Sequence, residues 1–296
     1  MMRMPIKIRL GVLPERCRTF LPMVASPISL VELATTDGAL GHTGGRSWFS
    51  THVSSFTSGT TCKSTSVNRH RLADQVILEA CRDCRPSVLD IGVSDGVTSL
   101  ELIDRLGDSF EQYFVADRQI DLLYRVKGNT AYFYDRNGLC ILIATKRWVV
   151  YPQAGGWFPF GWIARGLSMR APACDTGQVR VLSLMQPELV ELTRRDPRIA
   201  IMTYDVLHSW PGPAVNIVKI SNVLNPEYFP EALIRVALGN INAALEENGM
   251  LVVSDNRASG LECVSAFRKR GPGFALESMT NGGCRIQGIV LAKCMK

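Results

Sequence analysis

Between an apolar run and a helix-like segment, the chain places Asp90-Ile-Gly92-Val-Ser94-Asp95-Gly96. That combination of an acid with small residues at alternate positions could hold a ligand. A carboxylate at the end of a buried strand can meet a cationic group. Small residues let a ligand lie against the backbone, and the helix that follows presents unpaired N–H groups. Further candidates end other apolar runs: Asp117 in "YFVAD", Asp205 and Val206 in "IAIMTYDV", and Asn222 after "VNIVKIS". His208 in "DVLHSW" and Tyr228 in "NPEY", with Tyr204 beside them, could take part in proton transfer. An unperturbed imidazole titrates near neutrality, which suits a base, although a lone loop histidine serves equally as a surface or packing residue. The turn carries neither GxGxxG nor GK[ST], so it is not a dinucleotide fingerprint or a P-loop.

These residues need a parallel sheet to hold them. "RHRLADQVILEACRDC" has apolar residues at Leu72, Val76, Ile77, Ala80 and Cys81, a helical spacing stopped by Pro86. "SVLDIG" reads as a strand, "GVTSLELIDRLG" as a helix ending near Gly107, and "EQYFVAD" as a second strand. Strand, turn, helix and strand in this order make a βαβ unit. "PELVELTRRDPR", "IAIMTYD" and "VNIVKISN" continue the alternation, followed by a helical segment expected to end at Gly249 and by the strand "MLVVSDN". "FALES", "TNGG" and "CRIQGIVLAKC" suggest a terminal antiparallel hairpin. In ligand-binding parallel sheets the site lies beyond the carboxyl ends of the strands, where the topology switches.

Two stretches depart from that rhythm. Residues 35–68 are rich in Gly, Ser and Thr and read as a loop or lid, docked in part through Trp48 and Phe49. Residues 118–180 read as an insertion, with β-rich runs about the turn "DRNG" and then the aromatic stretch "QAGGWFPFGWIARGL". The expected division is therefore an N-terminal extension, 1–69, and an α/β domain, 70–296, interrupted at 118–180. The aromatic insertion offers a pocket wall, a surface for a homodimer, or plain packing beneath itself.

The net charge of +6 is uneven: residues 1–70 hold 8 Lys/Arg against 3 Asp/Glu, and the remainder holds 25 against 24. The near-neutral body has no electrostatic footprint for nucleic acid, and the basic segment reads as a solvated tail rather than a polyanion-binding arm. No apolar run reaches the ~20 residues of a membrane span, and prolines and charges interrupt any signal-peptide core near the start. Nine scattered cysteines suggest reduced thiols, with the cytoplasm as the expected compartment. Cys81 and Cys84 form a lone CxxC with no second pair, so no metal site is expected.

The turn Asp90–Gly96 resembles motif I of the class I S-adenosylmethionine-dependent methyltransferases, with Ser94 where the middle glycine is more usual. The resemblance covers about residues 70–296 apart from 118–180. It implies a Rossmann-like α/β fold: a mostly parallel seven-stranded sheet with an antiparallel C-terminal hairpin and helices on both faces. It further implies that Asp90 meets the ammonium of the methionine moiety, with Gly92, Ser94, Asp95 and Gly96 along the cofactor. Asp117 would then accept from the ribose hydroxyls, Asp205 with Val206 would meet adenine, and Asn222 would face cofactor and substrate. His208, Asn222 and Tyr228 are the catalytic candidates for in-line methyl transfer to a small-molecule acceptor. "NPEY" is similar to the NPPY tetrad of amino-group methyltransferases but lacks its second proline, and its place in the chain does not support a base-methylating enzyme. Two alternatives stand beside this. One is sulfonium chemistry without methyl transfer, by cyclisation or elimination; the other is a non-catalytic binding protein of the same fold.

Overall fold

A computed structural model of the chain describes residues 6–9, 23–24, 45–58, 61–62, 65–82, 84–153, 160–169, 171–172, 174, 179–257 and 259–292. The chain divides into two compact units, one of residues 1–65 and 121–185 and the other of 66–120 and 186–296. In chain order, the first unit contributes strands β1 (Ile6–Arg9) and β2 (Met23–Val24), helix α1 (Gly45–Val53), and the short strands β3 (Thr57–Ser58) and β4 (Thr61–Cys62). The second unit follows with α2 (Arg71–Ala80), β5 (Val88–Ile91), α3 (Val97–Leu106) and β6 (Tyr113–Asp117). The first unit resumes with β7 (Asp121–Lys127), β8 (Thr130–Tyr134), β9 (Cys140–Ala144), β10 (Trp148–Val150), α4 (Phe160–Met169) and β11 (Arg180–Ser183). The second closes with α5 (Pro187–Arg195), β12 (Ile199–Thr203), β13 (Val215–Ser221), α6 (Glu231–Ala244), β14 (Leu245–Asn256), β15 (Glu262–Arg270), β16 (Gly273–Thr280) and α7 (Gln287–Ala292).

In the first unit, seven strands run in the order β11-β7-β8-β9-β10-β1-β2. All neighbours are antiparallel except β1 and β2. Segments 1–69 and 118–180, expected as separate additions, thus share one sheet through the pairing of β1 with β10. The expected loop at 35–68 holds a helix instead: Phe49 and Val53 of α1, with Phe56, pack against Leu122, Phe133, Leu142 and Val149. That burial overrides the weak helix propensity of its Gly, Ser and Thr. Residues 35–44 of that stretch lie outside the described residues.

In the second unit the order is β12-β6-β5-β13-β14-β15-β16. The first five strands are parallel; β15 and β16 fold back antiparallel as a hairpin. β5 and β6 are buried at every residue, as central parallel strands covered on both faces are. On one face, Leu89, Ile91, Val218 and Ile220 join Ile234, Leu238 and Ile241 of α6 and Val290 of α7 in a single core. α2 packs on β14, β15 and α3.

Two C-terminal expectations are corrected. The helix expected to reach Gly249 stops at Ala244, because Lys269 Nζ donates to the carbonyls of Asn242 (2.8 Å) and Leu245 (2.6 Å) and caps its end. Leu245 already pairs with Val215; regular pairing resumes at Met250. The terminal hairpin is β15–β16, and "CRIQGIVLAKC" supplies α7 rather than a strand, entered through the left-handed residues Asn281, Gly282 and Gly283.

Candidate functional site

The chain reverses direction across the second sheet at β5. From β5 it goes through α3 to β6 and on to β12 at one edge, then returns to β13 on the other side of β5. A crevice between the carboxyl ends of β5 and β13 is where such sheets bind ligands. The turn 92–96 leaves β5 there. Gly92 (φ 76°), Ser94 (φ 63°) and Gly96 (φ 79°) are all left-handed, so every second residue of the turn takes a conformation that side chains disfavour. Gly92 N–H donates to Ala116 O (2.7 Å), Gly96 N–H to Val93 O (3.0 Å), and Gly96 then begins α3.

The carboxylate of Asp117, at the end of β6, clasps this turn. Its Oδ2 accepts from Ser94 N–H (2.8 Å) and its Oδ1 from Gln119 N–H (2.9 Å). Tyr204 N–H donates to Asp117 O (3.0 Å), which carries the contact on to the end of β12. There Asp205 Oδ1 accepts from Leu207 N–H (3.1 Å), and Val206 is buried. Turn, Asp117, Asp205 and Val206 therefore form one connected edge. Burial pushes the Tyr204 phenol up to about 12, with Asp205 adding to the shift, so it remains a donor, bonded to His208 O at 3.1 Å.

Three of the expected contact residues have close neighbours within the protein. Asp90 lies on the face beneath α2 and α3, where its Oδ2 accepts from the hydroxyls of Ser99 (2.8 Å) and Tyr113 (2.9 Å) and pairs with Lys219 Nζ (3.4 Å). Asp90 Oδ2 thus already faces an ammonium of the protein, that of Lys219. Asp95 is fully buried, with Oδ1 on Val97 N–H (3.0 Å) at the start of α3 and Oδ2 on Gln186 Nε2 (2.9 Å). It fastens the turn to the segment before α5 instead of facing outward. At Gly92 the close neighbour is Val223 Cγ2, which a Cβ there would overlap.

The catalytic candidates divide. Asn222, left-handed after β13, is locked to Asn256 at the end of β14: its Nδ2 donates to Asn256 Oδ1 (2.8 Å), and its Oδ1 accepts from Asn256 N–H (2.7 Å). His208 and Tyr228 sit on the loops after β12 and β13 with exposed side chains.

Around Asp90 the structure assembles groups that sequence reading passed over. Lys219, in register with Asp90 on the neighbouring strand, is 1% exposed and also lies 3.1 Å from Asp74 Oδ1. Burial opposes its charge, but Asp90 and Asp74 more than offset that, and its pKa stands above the ordinary lysine value. Burial raises the Asp74 carboxyl, with Lys219 pulling against it. His70, buried beside Ser254 (3.5 Å), is held neutral by burial and then by the charges of Lys219 and Arg69. The signal available in the sequence was a lysine inside the apolar strand "VNIVKIS", which demands a buried partner. Among the described residues there is no group of three potential metal ligands, and no helix is long and apolar enough to cross a membrane.

No family model and no curated protein matches the sequence. Among solved structures, the chain is similar to the N-methyltransferase NodS from Bradyrhizobium japonicum WM9 in complex with S-adenosyl-l-homocysteine. The identity is 12%, over 78% of this chain and 74% of that one, with a TM-score of 0.34. It is also similar to SAM-bound CalS10, an amino pentose methyltransferase from Micromonospora echinaspora, at 14% identity over 69% and 65% with a TM-score of 0.32. TrmN from Thermus thermophilus is similar at 15% identity over 69% and 48%, with a TM-score of 0.33. At these identities and scores the likenesses add nothing to the topology described above.

Proposed function

We propose that the unit of residues 66–120 and 186–296 binds S-adenosylmethionine and that the chain is a methyltransferase acting on a small-molecule acceptor. The observation that carries this reading is the turn at the topological switch: three alternate left-handed residues clasped by the Asp117 carboxylate. The backbone of that turn fits the group, and beneath it Asp90 Oδ2 holds Ser99, Tyr113 and Lys219. When bound, the cofactor supplies an electrophilic methyl group for in-line displacement.

The chain's residues do the rest. Ser94 and Gly96 give the ligand a surface with little side-chain bulk, and Gly92 makes room for Val223. Asp117, beside the turn it clasps, accepts from the ribose hydroxyls. Asp205 accepts from an adenine amino group, with Val206 against the ring. Asn222, fixed by Asn256, and Tyr228 bound the acceptor, and His208 takes its proton when the nucleophile carries one. A cytoplasmic setting and a dimer surface within 118–180 belong to the same reading.

Calorimetric titration with S-adenosylhomocysteine tests it. Binding by the wild type, weakened roughly tenfold in Asp117→Asn through the loss of charge-assisted hydrogen bonds, is expected. No binding by the wild type, or full affinity in that variant, counts against it.

A further inference from the structure

The two units carry opposite net charge, which the linear sequence conceals. The unit of residues 1–65 and 121–185 holds 15 Lys/Arg against 6 Asp/Glu, a net +9, and the other holds 18 against 21, a net −3. Within the first unit, residues 136–174 include Arg136, Lys146, Arg147, Arg165 and Arg170 but no Asp or Glu. Helix α4 lies in that acid-free stretch.

α4 joins its sheet through Ala164, 0% exposed, which clusters with Tyr134, Cys140, Ile143 and Val150. Among the described side chains of the helix, Ala164 alone is buried. At about 3.6 residues per turn, Trp162 and Met169 fall on the side away from Ala164, and they are 77% and 84% exposed. Ile163 and Leu167, also exposed, flank them on one side, and exposed Arg165 lies on the other. The sheet extends this surface. Trp148 alternates with Val150 and Val181 lies in register with Leu123, so both share the sheet face that α4 covers. Both are exposed, and the exposed Lys146 and Arg147 adjoin Trp148.

Large apolar side chains gathered on one face and rimmed by polar groups mark an interaction site. Ile, Leu, Met and Val offer no hydrogen bond to a phosphate and no flat ring for stacking a base, which disfavours nucleic acid. A second copy would set the same acid-free stretch against itself, where like charges repel. An anionic lipid surface satisfies both halves: the acyl boundary takes the apolar side chains and the headgroups take the cations. We propose that α4, with Trp148 and Val181, is a peripheral docking surface for an anionic lipid bilayer. The helix lies in the plane of the headgroups and does not span the membrane. The homodimer surface within 118–180 then lies off α4. No residue of the other unit enters this inference, so it stands or falls apart from the cofactor reading.

The full chain is sedimented with vesicles of phosphatidylcholine alone and of phosphatidylcholine mixed with phosphatidylserine. Affinity about tenfold or more higher for the anionic vesicles is expected, and it falls as salt is raised. Trp162→Ser combined with Met169→Ser should weaken that binding about tenfold or more through lost apolar burial. The urea midpoint of this double variant should stay unchanged, because both side chains are exposed. Arg165→Glu should lower the preference for anionic over neutral vesicles several-fold. Equal affinity for the two vesicles, no binding to either, or anionic binding that survives the double variant overturns the proposal. So does light scattering that shows a dimer broken by the double variant, which assigns the surface to a second copy.

Discussion

Replacing Lys219 by methionine should destabilise the second unit more than any surface change could. The side chain is 1% exposed and its ammonium separates two carboxylates that are themselves buried, Asp74 and Asp90. Methionine fills most of the volume, so the cost is mainly electrostatic. Removing one partner of a buried ion pair costs about 3–5 kcal/mol, since the remaining charge is left without compensation. Ser99 and Tyr113 still donate to Asp90, which places the loss near the lower end, about 3 kcal/mol at pH 7. Arg105 offers Asp74 little relief, because its side chain is 42% exposed and solvent-screened. The pH dependence has a definite sign. The Asp74 carboxyl is already raised by burial with Lys219 present, and removing the lysine raises it further. A carboxyl whose folded pKa lies above its unfolded value makes the fold lose stability as pH rises between the two. The deficit of Lys219→Met should therefore shrink on acidification from pH 8 to pH 5. Urea unfolding followed by circular dichroism measures it at each pH. A loss below about 1 kcal/mol at pH 7, or a deficit that grows on acidification, would refute the reasoning.

Three further outcomes follow from the same packing. Tyr113→Phe removes one donor to a buried carboxylate and should cost about 2 kcal/mol in urea unfolding, whereas Tyr124→Phe, whose ring packs in the other unit, should not change Asp90's surroundings at all. Gly92→Ala must place a Cβ at φ 76° and against Val223, for a loss of about 2–4 kcal/mol; Val223→Ala in the same chain should recover only the packing part, and full recovery would show that the backbone conformation carries no strain. Glu262 caps α2 through Leu72 N–H (2.8 Å) and Ala73 N–H (3.1 Å), and burial raises its pKa. The wild type should lose stability as pH rises from about 4.3 through that raised value, and Glu262→Gln should lack this part of the slope, so identical pH profiles would contradict the assignment.

The strands and helices around the turn were legible because each is bounded by its own chemistry. "SVLDIG" and "YFVAD" are continuous apolar runs, as buried parallel strands require, and Gly96 and Gly107 stand at the two ends of α3 with left-handed backbones. What could not be seen depended on partners distant in sequence. α1 is a helix because Phe49 and Val53 find a sheet built largely from residues 121–184, which nothing local announces. α6 ends early because Lys269, a residue of a later strand, reaches its last carbonyls. The site was read in the same partial way. The alternation of Gly92, Ser94 and Gly96 carries its backbone geometry openly, whereas the pairing of Asp90 with a lysine 129 positions away does not show in the sequence around it. A strand-end acid looks available in sequence until the neighbouring strand's register places a cation beside it.

The most direct test of the central claim is a crystal structure of the chain with S-adenosylhomocysteine. The account predicts the nucleoside against Gly92–Gly96, its ribose hydroxyls on Asp117, its adenine at Asp205 and Val206, and the Lys219–Asp90 pair intact beneath it. A ligand bound elsewhere, or one whose ammonium has displaced Lys219 from Asp90, would contradict it.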